Sequence, residues 1–211
     1  IRKTDNKFIY NSKVGYQLKK NLYFTYLFNF RTQFTEGFNY INDTTQVRIS
    51  NFLTPGTMLN SLGLDYKPNN DLTLFLSPLT IRTTFVEDQL LIDQSEAANQ
   101  TLFGVDPGKT MRNEIGAYFV GVYKKEVAKN IILNAKLELF SNYQHNPQNV
   151  DVNFDVLLSF KVNKYINALL GAQVVYDNDV FVPKSDTNAP PGPGTQFKET
   201  FGLGFAYKFG Y

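Results

Sequence analysis

The chain lacks cysteine and tryptophan, and it has one histidine among its 211 residues. Without cysteine it can form neither disulfides nor thiolate metal sites. For the same reason, its cysteine content does not indicate whether the protein works in an oxidising or a reducing compartment. It also lacks any run near the ~20 apolar residues that a membrane-spanning helix needs. Its formal net charge is only +2, which argues against a dedicated nucleic-acid surface. What the chain does have is abundant phenylalanine and tyrosine, 19 and 13 residues respectively.

Hydrophobic residues alternate with polar ones along most of the chain. In NLYFTYLFNFRTQF, residues 21–34, the even positions are nearly all apolar and the odd positions include Asn29, Arg31 and Gln33. A period of two predicts a strand, because successive side chains of a strand point to opposite faces. The pattern recurs, so we expect about nine strands near 7–18, 21–34, 57–67, 72–85, 112–124, 131–142, 150–162, 166–177 and 197–211.

Pro78 interrupts the fourth of these strands. Proline cannot donate to a strand ladder, so it is expected at a bulge. A bulge would also reverse the alternation, and the apolar positions do change from Leu74 and Leu76 to Leu79 and Ile81.

The predicted connections alternate between short and long. Short turns rich in lysine and asparagine lie at 19–21, 67–70, 124–130 and 162–164, whereas long loops lie at 35–55, 87–110 and 178–194. One connection that alternates with the short turns, at 144–149, is itself short and is the exception among the long loops. Short turns at one rim and long loops at the other are typical of outer-membrane barrels.

Alternation alone does not say which face is outside. Strands of 11 to 14 residues suit a tilted membrane crossing better than a soluble sheet, whose strands usually have ~5 to 6 residues. Glycines such as Gly63, Gly116 and Gly202 fall on the polar face, which favours a crowded concave side. We therefore expect an all-β fold, a transmembrane antiparallel up-and-down β-barrel, with a soluble two-sheet sandwich as the alternative. The residues predicted to face lipid are Phe24, Tyr26, Phe28, Phe154, Phe160, Phe201, Phe205 and Phe209.

Nine strands is an odd number, whereas bacterial single-chain barrels have even numbers with both termini periplasmic. Predicted strands recur along the whole sequence, so residues 1–211 are expected to form a single domain. Because the number of strands is odd, this domain is expected to be the C-terminal portion of a longer barrel.

Charged residues on the polar face concentrate in the middle strands. The predicted interior cluster consists of Arg112, Glu114, Lys136, Glu138, Asp151, Asp155 and Lys161. Folding the strands about their turns should bring Glu138 near Tyr118 and Asp155, with Lys136 diagonally between the acids. The cluster could be an ion-pair network that satisfies charges inside a narrow barrel. Alternatively, it could be a constriction that selects ions or solutes.

No catalytic arrangement stands out. Glu138 and Asp155 could form an acid/base pair, but a lysine lies close and no substrate site is recognisable. His145 lies in a short loop, whereas the alternation places the Ser141 side chain on the lipid-facing side of its strand. The two residues are therefore not expected to form a catalytic pair. FGVDPGK, residues 103–109, lacks the spacing of a phosphate loop. No spacing typical of metal ligands is present, so we expect no enzymatic activity, metal or cofactor.

Five stretches resemble an outer-membrane β-barrel family of Bacteroidota that is known only as a domain of unknown function. They are IRKTDNKF (1–8), LDYKPNNDLTLFLSPLT (64–80), FGVDPGKTMRNEIGAY (103–118), LFSNYQHNPQNVDVNFDVLLSFKVNKYINA (139–168) and TQFKETFGLGFAYKFGY (195–211). The resemblance implies further N-terminal strands, about twelve in all, and it brings no catalytic residues.

These observations predict an integral protein of the bacterial outer membrane with a non-enzymatic, structural or accessory role, for example as a subunit of a larger complex. The alternative is a narrow, porin-like pore for ions or small solutes. The expected partners are outer-membrane lipid, lipopolysaccharide and other outer-membrane proteins, and not nucleic acid.

Overall fold

The computed structural model describes residues 6–42, 45–182 and 192–205. Those residues form eleven strands and one helix. The elements are β1 (Lys7–Lys19), β2 (Leu22–Gln33), β3 (Gly37–Tyr40), β4 (Gln46–Ser50), β5 (Gly56–Tyr66), β6 (Leu72–Phe85), α1 (Gln89–Ala98), β7 (Met111–Ala128), β8 (Ile131–Asn142), β9 (Val150–Lys161), β10 (Ile166–Val182) and β11 (Gly192–Phe205). Across the described ranges, no helix has both the length and the apolar character needed to cross a membrane.

Nine of the strands form one antiparallel sheet in the order β1-β2-β5-β6-β7-β8-β9-β10-β11. Each strand pairs with the next large strand in sequence, so the sheet is an up-and-down meander. The predicted all-β, antiparallel, up-and-down fold with nine long strands is confirmed. In the described part of the chain, β1 and β11 are sheet edges that do not pair with each other, so a closed barrel is not seen. The expected end of the last strand, 206–211, lies outside the described residues.

The sheet curls strongly. Arg31 on β2 contacts Glu138 on β8, although β5, β6 and β7 lie between these strands in the sheet. A cavity of about 530 Å³ is lined by Lys7 of β1 and Lys198 of β11, which belong to the two edge strands. One face of the sheet is therefore concave and brings together side chains from distant strands.

The two faces of the sheet differ in polarity. Within the described residues, 16 polar or charged residues are buried, whereas only ten hydrophobic residues are. Buried polar positions such as Thr25, Ser61 and Thr80 face the concave side. Large apolar side chains lie exposed on the convex side, among them Leu76 at 56% and Phe201 at 71%.

The bulge predicted at Pro78 is confirmed. The register of β6 against β7 shifts between Ser77 and Thr80, and Leu79 and Ile81 continue the exposed set after it. Gly63 lies opposite the bulge, where an added Cβ would come 2.2 Å from the Leu76 carbonyl oxygen. Only glycine lets the two backbones approach this closely.

The short turns form one rim and are joined to one another. The amide of Lys67 donates to the Asn21 carbonyl (2.8 Å), that of Lys124 to the Asp71 carbonyl (2.7 Å), and that of Lys161 to the Asn130 carbonyl (2.9 Å). Asparagine shapes these turns, since Asn21 and Asn130 both adopt a φ of 66° in the left-handed region, which asparagine tolerates. We call the lysines of this rim the lysine belt: Lys19, Lys20, Lys67, Lys124, Lys125, Lys129, Lys161 and Lys164.

The long connections at the opposite rim contain structure that the alternation did not predict. The first holds the β3–β4 hairpin, and the second holds α1 over a small apolar cluster of Val86, Ile92 and Val105. Asp88 caps α1 by accepting from the Leu91 amide at 3.2 Å. The sequence predicted only long loops at 35–55 and 87–110, because strands of four and five residues and one short helix leave little periodic signal.

Candidate functional site

Glu138 is the centre of a charged cluster on the concave face. It is 6% exposed. Its Oε1 accepts from Arg31 Nη2 at 2.6 Å, from the Tyr118 hydroxyl at 2.6 Å and from Lys136 Nζ at 3.0 Å. Its Oε2 accepts from Asn153 Nδ2 at 2.9 Å. Four strands thus supply donors to one carboxylate.

Glu114 is a second centre, nearer the long-loop rim. Arg82, directly opposite it in the β6–β7 register, donates through Nε at 2.7 Å and Nη2 at 2.9 Å, which makes a bidentate pair. Arg112 Nη2 lies 3.0 Å from the same carboxylate, and Asn142 Nδ2 donates to it at 2.9 Å. Arg82 also donates to Asp151 at 2.7 Å through Nη1.

The guanidinium of Arg82 stacks on an aromatic ring as well. Its Cζ lies 4.1 Å from the centroid of Phe140, a buried residue on β8. The planar group therefore binds two carboxylates in its plane and an aromatic face above it, a combination that suits arginine rather than lysine.

Asp65 is the third centre, nearer the short-turn rim. It is 2% exposed, and Lys13 Nζ lies 3.0 Å from Oδ1 while Lys67 Nζ lies 3.5 Å from Oδ2. Lys13 also lies over the ring of buried Phe75, 5.0 Å from its centroid.

The three centres have the same arrangement: each is a buried carboxylate with two cationic side chains close to it. A buried carboxylate is costly unless it is paired and its lone pairs are filled. Glu138 and Glu114 meet this requirement with additional amide or hydroxyl donors. The geometry is that of a charge network which ties distant strands of the curled sheet together.

The structure places most of the predicted cluster in these contacts. Arg112, Glu114, Lys136, Glu138 and Asp151 take part directly. Asp155 lies opposite Lys136 in the β8–β9 register. Lys161 lies exposed at the end of β9, in the lysine belt and away from the three centres.

The predicted cluster did not include Arg82, Lys13 or Arg31. Arg82 could have been found, because the reversal of alternation at Pro78 turns it to the same face as Glu114. The Arg31–Glu138 contact had no local signal, since it depends on how strongly the sheet curls.

Two cavities adjoin the charged cluster. The first, of about 530 Å³, is lined by Arg82 and Asp151 among others, and the second, of about 860 Å³, by Lys136 and Asp155. Arg31 and Glu138 line both. Their ion pair therefore lies where the two cavities meet.

Of the residues considered for catalysis, Glu138 and Asp155 line the same cavity, whereas Ser141 and His145 each make a separate local contact. The Ser141 hydroxyl donates to the Pro147 carbonyl at 2.7 Å, and the exposed His145 ring lies 3.2 Å from the Asn146 amide nitrogen. In the described ranges, no group of three or more histidine, cysteine, aspartate or glutamate side chains could hold a metal ion.

The predicted lipid-facing residues that the structure describes lie on the convex face. Phe24, Tyr26, Phe154, Phe201 and Phe205 are exposed, and the other two, Phe28 and Phe160, are partly exposed. Phe209 lies outside the described residues.

Fold and cluster together define an all-β protein built on one curled meander, with a polar, ion-paired concave face and an apolar convex face. Residues 1–38 match a family model described as "Protein of unknown function (DUF3078)". The resemblance to a family of unknown function is thereby confirmed over those residues, whereas the other four stretches lie beyond the match. No curated protein and no solved structure matches the chain.

Proposed function

We propose that this chain is an integral protein of the bacterial outer membrane with a structural or accessory role. The observation that carries this proposal is the polarity of the sheet. Many polar and charged residues are buried on the concave face, around a smaller apolar cluster that includes Phe75 and Phe140, while large apolar side chains cover the convex face. A soluble monomer rarely exposes a contiguous apolar surface of this extent. A barrel in lipid requires it, with apolar residues outward and polar residues inward along every strand.

In this proposal the curled sheet is part of a closed barrel. Open sheet edges do not occur in hydrocarbon, because their backbone groups would have no hydrogen-bond partners. β1 and β11 would therefore pair with further strands of a longer protein, about twelve in all, as the resemblance to the Bacteroidota barrel family implies. The short-turn rim would face the periplasm and the long-loop rim the cell exterior, next to lipopolysaccharide.

The accessory role is proposed because the described polar face is used for ion pairs that connect strands. Ser141 and His145 each have a local partner and do not face each other. The interior then stabilises the barrel, and the function would lie in what the barrel binds in the membrane, namely lipid and neighbouring outer-membrane proteins.

Membrane insertion is tested with the intact protein expressed in a Gram-negative host. We expect it in the outer-membrane fraction, resistant to carbonate extraction and with a mobility that changes on heating. Phe201→Arg, on the convex face, should reduce assembly, since a cation that faces lipid is destabilising, by up to about 2–4 kcal/mol at the bilayer midplane. Thr200→Arg is the matched control, because the adjacent residue lines a cavity on the concave face. A stable, detergent-free soluble monomer would overturn the proposal.

The accessory role is tested by purification in mild detergent. We expect outer-membrane proteins to be recovered at a fixed stoichiometry, which mass spectrometry can establish. Recovery of the protein alone, under conditions that preserve known membrane complexes, would contradict the accessory role.

A narrow pore is the second candidate, and the two charged cavities favour it. Since Arg31 and Glu138 line both cavities, a permeating solute would pass their ion pair. Planar-bilayer recording would then show single-channel steps that change in Glu138→Ala and Arg112→Ala. A silent bilayer containing correctly folded protein would exclude the pore.

A further inference from the structure

The two rims of the molecule carry opposite charge. The four short turns and the strand ends that adjoin them, at 19–21, 67–71, 124–130 and 161–165, contain eight lysines and only two carboxylates, Asp71 and Glu126. The predicted turn at 124–130 is shorter than expected, because β7 continues to Ala128. Three of the connections at the opposite rim, 34–55, 86–110 and the short 143–149, contain seven carboxylates and two cations. A nearly neutral chain is thus strongly polarised along its strands.

The backbone holds the belt lysines side by side. The amides of Lys67, Lys124 and Lys161 are the donors in the three bonds that join neighbouring turns. Every donor is a lysine of the belt, so the spacing of these side chains is set by the turn-to-turn bonds. The belt is a built feature of the rim.

The belt has more positive charge than its own acids can neutralise. Lys125 lies 3.6 Å from Asp71, and Lys67 lies near Asp65. Among the described residues the other belt lysines have no carboxylate within ion-pair distance, and all of them are exposed. Clustered like charges repel one another unless an external anion binds between them.

Two aromatic rings lie beside lysines of the belt. Lys164 Nζ lies 4.8 Å from the centroid of Tyr165 in the same turn. Lys67 Nζ lies 5.2 Å from the centroid of Tyr23, which pairs with Asp65 and therefore lies on the concave face. Tyr16, on the convex face three residues before the end of β1, is 75% exposed. Tyrosine with lysine just beyond it is the arrangement found where a protein leaves the hydrocarbon and enters the head-group layer.

We propose that the lysine belt binds the phosphate groups of anionic phospholipids in the leaflet that meets the short-turn rim. This inference rests on the proposed membrane location and adds the lipid class and the side of the membrane. Each ammonium has three donors for phosphate oxygens, and each lysine near an anionic surface contributes roughly a fivefold gain in binding. The acidic long-loop rim has no such attraction, so the asymmetry also orients the protein.

The test measures which lipids remain bound to the intact protein. Wild type is reconstituted into vesicles of phosphatidylcholine and phosphatidylglycerol, extracted mildly, and its bound lipids are counted by native mass spectrometry. We expect enrichment of phosphatidylglycerol that falls as salt is raised. The combined variant Lys19→Gln, Lys20→Gln, Lys124→Gln and Lys129→Gln should lose roughly tenfold or more of that enrichment.

Two matched controls separate charge from other effects. The same four positions changed to arginine should keep the enrichment, and Lys109→Gln on the long-loop rim should not alter it. Insertion into pure phosphatidylcholine vesicles is measured separately by carbonate resistance. Normal insertion of wild type with no salt-sensitive phosphatidylglycerol enrichment overturns the belt proposal alone, even if the glutamine variant fails to fold. Failure of wild type to insert overturns the proposed function, and the belt proposal with it.

Discussion

Arg31 and Glu138 are 107 positions apart in the chain, yet Nη2 of the arginine lies 2.6 Å from Oε1 of the glutamate. The contact crosses the concave face from β2 to β8 and is direct evidence of the curl of the sheet. The glutamate is buried, whereas the arginine side chain is 36% exposed. The two partners should therefore respond differently to truncation.

Glu138→Ala should destabilise the fold by about 3–5 kcal/mol, because two cations, a buried hydroxyl and an amide lose their common partner. Arg31→Ala should cost only about 1 kcal/mol, since Lys136, Tyr118 and Asn153 still hold the carboxylate. Urea unfolding in lipid vesicles measures both values. Equal costs for the two variants would contradict the assignment of Glu138 as the centre.

Gly63→Ala should destabilise by about 2–3 kcal/mol or more, because the new Cβ would meet the Leu76 carbonyl oxygen at 2.2 Å and Ser77 Cα at 2.7 Å. Gly202→Ala is the matched control, since its nearest neighbour would be Leu169 Cβ at 3.7 Å. Thermal unfolding followed by circular dichroism distinguishes them. If both variants had the melting temperature of the wild type, the backbone at the bulge would be less constrained than the structure indicates.

Arg82→Lys should cost about 1–3 kcal/mol although it keeps the charge, because lysine loses the bidentate pair with Glu114 and the stacking on Phe140. Arg112→Lys should cost less, since Arg82 holds Glu114 through two nitrogens at 2.7 and 2.9 Å, whereas Arg112 Nη2 lies 3.0 Å from that carboxylate and Nη1 donates to the Gly104 carbonyl. Their unfolding free energies can be compared in the same vesicles. A larger loss for Arg112→Lys would reverse the proposed roles.

Asp88 should make stability depend on pH near the long-loop rim. Burial opposes ionisation of Asp88, but hydrogen bonds from Asn51, the Leu91 amide and Arg48 outweigh it and hold its pKa below the ordinary 3.8. A lowered pKa means that the carboxylate stabilises the fold above pH 3.8 and that this contribution is lost as the pH falls through the folded value.

The measurement for Asp88 is the difference in melting temperature between wild type and Asp88→Asn. We expect wild type to melt higher at neutral pH and the difference to shrink below about pH 4. A difference that widened on acidification would show that the charged form does not stabilise the cap of α1.

The strands could be predicted from the sequence because one physical signal, alternation, is repeated in every one of them. Even the reversal of the alternation at Pro78 could be predicted. Proline favours a bulge there, and the shift of the apolar residues from even to odd positions indicates the same bulge. The sequence could not predict α1, where Leu90, Leu91 and Ile92 are consecutive and give no clear helical period.

The charged cluster could be predicted only in part, for a related reason. Glu114 and Lys136 lie on neighbouring strands, so their grouping follows from local pairing. Arg31 joins Glu138 through the curl of three intervening strands. That curvature is a property of the whole sheet, which no single segment of sequence encodes.

The unbroken meander also bears on how the chain acquires its structure. Every ladder of the large sheet joins strands that are consecutive among its nine members, so each new pairing closes only the connection between them. Loop-closure entropy grows slowly with loop length, and the short turns keep it low at every second step. Hairpins can thus be added one after another, and contacts such as Arg31–Glu138 form only when enough of them have accumulated. We therefore expect the long-range ion pairs to form after the hairpins and to depend on their correct register.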